Sequence, residues 1–368
     1  MRFCLYCVIV CLGMVLSGAE SRPTLILQGN AAAVVVDLGG GSISDFHLLD
    51  NGLNPLQWDS WYFRNPGEGD PPLEPRPMGH FICLDRWGSS SAAEKAHGMP
   101  NHGEAGVVWW EVTREPELKN GVWEADMRAD LPMAGLRIER TLALSENEAV
   151  VSVVESVTNY RPIGRIYNFV QHPSVGGPFL NEKTVVDCNG GRGFMQDASL
   201  ENPQERVVHW PRAKKQDGTE VDVRFLSGDD QPPVVSYLVE DEHGWVTGSS
   251  PDNGLLIGYL WRTAEYPWLN IWRNVRKGKP YARGLEFGTT GLHRPGHDLV
   301  ATGRIFGRPV IRYIDASETQ TFSYVNFLVA IPEDFAGVFE VIYENETLSV
   351  VERGEKQRRY DLAVGDLF

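Results

Sequence analysis

After residue 20, almost every apolar stretch either alternates with polar residues or runs as a short β-branched block, as in "AAVVVDLGGGSISDFHLLD", "LRIERTLALSENEAVVSVVESVTN" and "TFSYVNFLVAI". A side-chain period of two belongs to a pleated strand with one face buried, so this patterning commits the chain to sheets. Glycine, proline and asparagine cluster between the runs ("NPGEGDPPLEPRP", "NGGRG", "SPDNG"), and no stretch of a dozen residues carries a helical stripe capped at both ends. Only "SSAAEKAHG" supports a helix, of a turn or two. Many short strands separated by turn signals pack as stacked antiparallel sheets. The expected fold is therefore all-β: a large antiparallel β-sandwich with few short helices. No repeat, low-complexity tract or long linker divides the chain, so residues 20–368 are expected to form one domain.

The first residues, "MRFCLYCVIVCLGMVLSGAES", carry one arginine, then an apolar run, then small residues at Ser17 and Ala19. That layout is a secretory signal cleaved after Ala19, because the run from Leu5 to Leu16 is short for a bilayer span of roughly 20 residues. An exported protein, periplasmic or extracellular and with no membrane attachment after cleavage, is expected. Removing residues 1–19 takes away Arg2 and no acid, so the formal charge moves from 34 − 49 = −15 to 33 − 49 = −16. An acidic surface repels phosphate backbones, which argues against nucleic acid as a partner. Three of the five cysteines leave with the signal; Cys83 and Cys188 remain, to pair or to sit free in the core.

The segment Asn54 to Arg76, with its prolines and two tryptophans, is long enough to cover or line a site. A second charged segment, Pro203 to Gly228, reads as a solvated excursion. Among the nine histidines, His47, His80, His209 and His243 have no neighbouring constellation. His102 stands at a strand entrance in "PNHGEAGVVWWEV", with Glu104 two residues on. His172 ends an aromatic strand just before Pro173, where a stiff turn would hold an imidazole in one orientation for acid–base work. In "ARGLEFGTT", Glu286 lies between Leu285 and Phe287, so it must face away from both. Inside a cavity its pKa would rise into the range of an effective base. Trp268 and Trp272, close to asparagine and arginine, are flat apolar rings of the kind on which a sugar's C–H face stacks.

Metal readings are weaker. His97 and His102 are five apart, His293 and His297 four apart, but the latter spacing needs a helix that Pro295 and Gly296 oppose. No metal and no cofactor is expected. The triple glycine at Gly39–Gly41 precedes another strand, "SISDFHLL", and reads as a hairpin turn rather than a phosphate loop.

Taken in order, "VVVDLGGGSISDFHLLDNGLNPL", "NHGEAGVVWWEV", the strands closing on "YNFVQHPSVGGPFL", "GLEFGTT" and "GRIFGRPVIRYIDASETQTFSYVNFL" resemble the aldose 1-epimerase (galactose mutarotase-like) superfamily along most of the mature chain. The resemblance implies Glu286 as the base for the anomeric hydroxyl and His172 as the acid for the ring oxygen. It implies His102 as an assisting hydrogen-bond donor and Arg86 as a substrate-gripping residue. Glu104, Trp268 and Trp272 are expected at the substrate from their own sequence context. Ser174, Val175 and two glycines follow His172 where the family carries aromatic and asparagine residues. The expected function is a carbohydrate epimerase of the mutarotase type. A carbohydrate-binding module without turnover and a glycan-processing enzyme on the same fold are the alternatives.

Overall fold

The computed structural model describes residues 22–196, 203–226, 228 and 232–364, so the expected signal segment lies outside the described residues. An 11-stranded sheet carries, as consecutive neighbours, strands Ser42–Leu48, His80–Asp85, Arg165–Gly176, Lys279–Gly288, Trp268–Arg276 and Val234–Leu238. An 8-stranded sheet faces it, with Val185–Cys188 and Glu111–Lys119 at its edges. The pairings that build both are antiparallel, as the alternating pattern predicts. Their apolar faces meet in one core, where Trp261 of one sheet stacks on Phe287 of the other at 4.3 Å and 4°. A three-stranded sheet, Val338–Glu344, Thr347–Glu352 and Arg359–Ala363, packs Val338, Leu348 and Val350 on the outer face of the 8-stranded sheet, against Leu256 and Phe327.

The glycine-rich turn joins Ala32–Asp37 to Ser42–Leu48 as a hairpin. Gly41 there has φ +62°, and a Cβ would stand 2.3 Å from the Trp110 indole, so the close approach of the turn to that ring needs glycine. Three short α-helices occur among the described residues, Ser60–Arg64, Ala92–Ala96 and Gly296–Thr302. Ala92–Ala96 is the helix foreseen in "SSAAEKAHG", closed by a capping box between Ser91 and Glu94. Gly296–Thr302 is a correction: Pro295 is its N-cap, because proline starts a helix readily even though it cannot sit inside one. His293 still precedes the helix, so it does not share a helical face with His297. The segment after Pro203 is also more than a solvated excursion. It forms a ribbon of Arg212–Lys214 with Glu220–Asp222 and buries Val208, Ala213, Val223 and Leu226 in the core.

Between the sheets runs a buried polar chain. Arg140 Nε donates to Glu155 Oε1 at 2.7 Å, Gln171 Nε2 donates to Glu155 Oε2 at 2.5 Å, and His80 Nε2 donates to Gln171 Oε1 at 3.0 Å. Arg140 also reaches the carbonyl of Gly41 and lies over the Trp110 ring at 4.8 Å. A buried ion pair is tolerable only when its remaining atoms are bonded in this way. The chain ties the hairpin turn to the strand Arg165–Gly176, directly behind His172. Cys83 and Cys188 are both free and buried.

Candidate active site

Strand pleat decides what the outer face of the 11-stranded sheet presents. Leu285 and Phe287 enter the core, so Glu286 points the other way; Leu269 and Ile271 do the same for Asn270 and Trp272; Ile82 and Leu84 for Phe81. Register then lines these side chains up. Phe81 is opposite His172, and Asn270 is opposite Glu286. His172 and Glu286 fall between the paired residues Phe287–Gln171 and Gly284–Ser174, which makes them neighbours on facing strands. A row Phe81, His172, Glu286, Asn270 therefore crosses four strands.

Above this row lies a cavity of about 250 Å³, lined by Trp58, Phe63, Phe81, Trp87 and Trp272 as walls, with His102, His172, His293, Glu286 and Arg64 as its principal polar groups. His172 Nε2 is 3.1 Å from Glu286 Oε1, and Trp87 Nε1 donates to Glu286 Oε2 at 2.6 Å. His172 Nδ1 is 3.0 Å from Ser174 Oγ, and Phe81 stacks flat on the imidazole at 4.1 Å. Burial drives the Glu286 carboxyl well above the usual carboxylate range, with the Trp87 hydrogen bond opposing it. Burial drives His172 well below its ordinary value, helped by the His102 imidazole. Both shifts run against charge on the pair, because burial penalises an imidazolium and a carboxylate alike.

His102 sits in a left-handed turn at φ +64°, followed by Gly103 at φ +80°. Its backbone N–H donates to the Gly88 carbonyl at 2.9 Å, and its Nδ1 accepts from the Gly88 N–H at 3.2 Å. Because a backbone amide can only donate, neutral His102 carries its proton on Nε2 and offers a donor. Burial, then the positive charge of neighbouring groups, pushes it down to about 3. His293 packs edge-on to Trp87 at 4.8 Å and is pushed down to about 4, chiefly by burial. Among the described residues, no group of three or more His, Cys, Asp or Glu side chains is placed to hold a metal ion.

The profile of one family matches residues 88–305, more than half of the chain. The chain belongs to the family "Domain of unknown function (DUF4432)". The DUF4432 match spans His102, His172, Glu286 and His293, while Trp58, Arg64, Phe81 and Trp87 come from the chain ahead of it. No curated protein matches the chain. Among solved structures, a galactose mutarotase-like protein from Clostridium acetobutylicum is similar at TM-score 0.62 and 12% identity, over 84% of this chain and 96% of that one. A galactose mutarotase related enzyme from Lactobacillus acidophilus has TM-score 0.59 and 13% identity, over 84% and 98%. A galactose mutarotase-like protein from Lactobacillus casei has TM-score 0.57 and 12% identity, over 83% and 100%. This DUF4432 chain thus has the galactose mutarotase-like fold that its motifs predicted.

Of the residues singled out in the sequence, His102, His172, Glu286 and Trp272 line the cavity, and Arg86, Glu104 and Trp268 do not. Arg86 turns outward to Asp85 at 2.7 Å and Glu94 at 2.5 Å. The next residue, Trp87, takes the inward position. Glu104 is buried, but its oxygens accept from the backbone N–H groups of Met133 and Ala134 at 3.1 and 2.6 Å, holding a turn. Trp268 shares a strand face with Trp272 but lies about 13 Å farther along it, and packs with Phe194, Leu292 and Leu299 in a separate apolar cluster. Sequence reasoning missed Arg64, Phe63, Trp58, Phe81, Trp87 and His293. The one available signal was the proline-rich Asn54–Arg76 segment, which supplies Trp58, Phe63 and Arg64.

Proposed function

We propose that this protein is an exported isomerase of the aldose 1-epimerase type, which speeds the interconversion of the α and β anomers of a sugar. The observation that carries the reading is the 3.1 Å contact between His172 Nε2 and Glu286 Oε1 at the floor of an aromatic cavity. Opening a cyclic hemiacetal requires a base at the anomeric hydroxyl and an acid at the ring oxygen, two atoms bonded to the same carbon. One proton shift within the pair turns a carboxyl and a neutral imidazole into a carboxylate and an imidazolium, which supplies both partners together. Glu286 then takes the proton from the hydroxyl as His172 gives one to the ring oxygen. The C1–O5 bond breaks, the C1–C2 bond rotates, and closure with the reverse proton transfers yields the other anomer. His102, with its Nε2 proton, is suited to hydrogen-bond a sugar oxygen during the transfer. Trp58, Phe81 and Trp272 offer flat rings for the C–H faces of a pyranose.

The fold shared with mutarotase-like proteins supports a sugar as substrate. The apolar run and small residues of positions 1–19 support export. Among the described cavity-lining residues Glu286 is the single carboxylate, which disfavours hydrolysis by a pair of carboxyl groups. Polarimetry of a freshly dissolved pure anomer tests the proposal. The protein should shorten the approach to equilibrium in proportion to its concentration, whereas a binding module without turnover leaves the uncatalysed rate.

A further inference from the structure

We propose that the sugar carries an oxyanion, a carboxylate, sulfate or phosphate, and that Arg64 is the residue that selects it. The inference rests on the isomerase reading of the cavity and goes on to name its substrate class.

The helix that bears Arg64 is held at both ends. Asp59 caps it by accepting from the Trp61 N–H at 2.7 Å, and Arg76 clamps Asp59 through Nε and Nη2 at 2.9 Å each. At the other end Arg276 donates to the carbonyls of Tyr62 and Phe63 while lying over the Tyr281 ring at 3.8 Å. Arg76, Arg276 and, across the cavity, Arg86 are thus each committed to a carboxylate or a carbonyl. Arg64 lines the cavity and has no hydrogen-bond or ion-pair partner among the described residues.

The rest of the lining does not oppose it. Among the described lining residues Glu286 is the only carboxylate, and burial pushes its pKa up, against a negative charge there. The three imidazoles are neutral for the same reason. Arg64 is therefore the one guanidinium or ammonium group among the described lining residues, a cation at the exposed rim of a cavity in a chain of net charge −15. Low-dielectric aromatic walls focus such a field toward the cavity mouth. A guanidinium presents a planar fork of N–H groups that fits two oxygens of an oxyanion, and a neutral hexose has no group that uses it as well. The substrate would enter with its anomeric carbon toward Glu286 at the floor and its charged substituent last.

The test measures anomer exchange by NMR for glucose, glucuronate and glucose 6-phosphate, and for the galacto counterparts, with wild-type protein, R64Q and E286Q. The expected result is a kcat/KM at least about tenfold higher for one of the anions than for its neutral sugar, corresponding to one charged hydrogen-bonding contact. In R64Q that ratio should fall toward one, mainly through KM, and added salt should erode it in wild type but not in R64Q. The carboxylate and phosphate arms tell which oxyanion is preferred. Equal or better turnover of the neutral sugars, or a selectivity unchanged in R64Q, would overturn the inference while leaving the isomerase reading intact. If no sugar is turned over, the isomerase reading fails, and quenching of the cavity tryptophans by the same sugars decides the anion question. Binding of an anion that R64Q weakens would sustain it; binding that ignores charge would end it.

Discussion

The indole N–H of Trp87 points at Oε2 of Glu286 from 2.6 Å, so the carboxyl group is held by a donor on one oxygen and by His172 on the other. That donor favours the carboxylate form against the much larger effect of burial. Trp87→Phe keeps the ring and removes the bond. Glu286 should then titrate still higher, and the anomer-exchange rate should fall about tenfold or more, as expected for losing a hydrogen bond of roughly 1.5–3 kcal/mol to a charged group. A pH–rate profile of the variant checks this, with its limb moved to higher pH.

Gly284 leaves the space that Glu286 occupies. A Cβ there would stand 2.6 Å from Glu286 Oε1 and 2.9 Å from the Trp272 Cβ. Gly284→Ala should displace the carboxyl from His172 and lower kcat by about tenfold or more, since proton transfer depends on hydrogen-bond geometry. Steady-state kinetics with a circular-dichroism control for folding reads the outcome.

Arg140 and Glu155 form a buried ion pair, at 1% and 0% side-chain exposure. Arg140→Met strands the Glu155 charge and should cost about 3–5 kcal/mol of unfolding free energy. The double variant with Glu155→Met should recover much of that loss. Urea unfolding of the four proteins gives the coupling directly.

Acid should destabilise the fold well before its exposed carboxylates titrate. Burial lowers His80 from 6.5 to about 3, His102 to about 3 and His293 to about 4. The unfolded chain takes up these protons first, so the stability these groups contribute is complete above pH 6.5 and is lost as the pH falls toward 3–4. Each contributes a slope of about 1.4 kcal/mol per pH unit inside its window. Glu286 and Glu265 act in the opposite sense, their contributions being present below 4.5 and lost as the pH rises, but against them stand four buried imidazoles, since His172 is lowered as well. Urea midpoints at pH 7 and pH 4.5 should differ accordingly, and His80→Gln should flatten the slope by about one proton.

The architecture was readable because a period of two leaves little freedom: Leu285 and Phe287 must share a face, which forces Glu286 onto the other. The same rule makes single-residue errors costly. Arg86 and Trp87 are adjacent, and only coordinates reveal that the strand end sends the arginine to Glu94 and the indole to Glu286. Trp268 and Trp272 have equal standing in sequence, yet a cavity the size of one sugar reaches only one of them. Arg64 and Trp58 arrive from a segment without periodicity, where nothing in the residue order states which side chain turns inward. His293 was hidden behind a metal spacing, although its place is set by the turn after Gly288 and the ring of Trp87.

The most direct test of the His172–Glu286 pair as the proton-transferring unit is NMR magnetisation exchange between the two anomeric protons of a sugar that the wild-type protein turns over, repeated with Glu286→Gln. Glutamine fills the same volume and can still hydrogen-bond, but it cannot carry the proton. The exchange rate should drop about 10²–10⁴-fold while the variant remains folded and binds the sugar. An exchange rate in Glu286→Gln equal to that of wild type would contradict the mechanism.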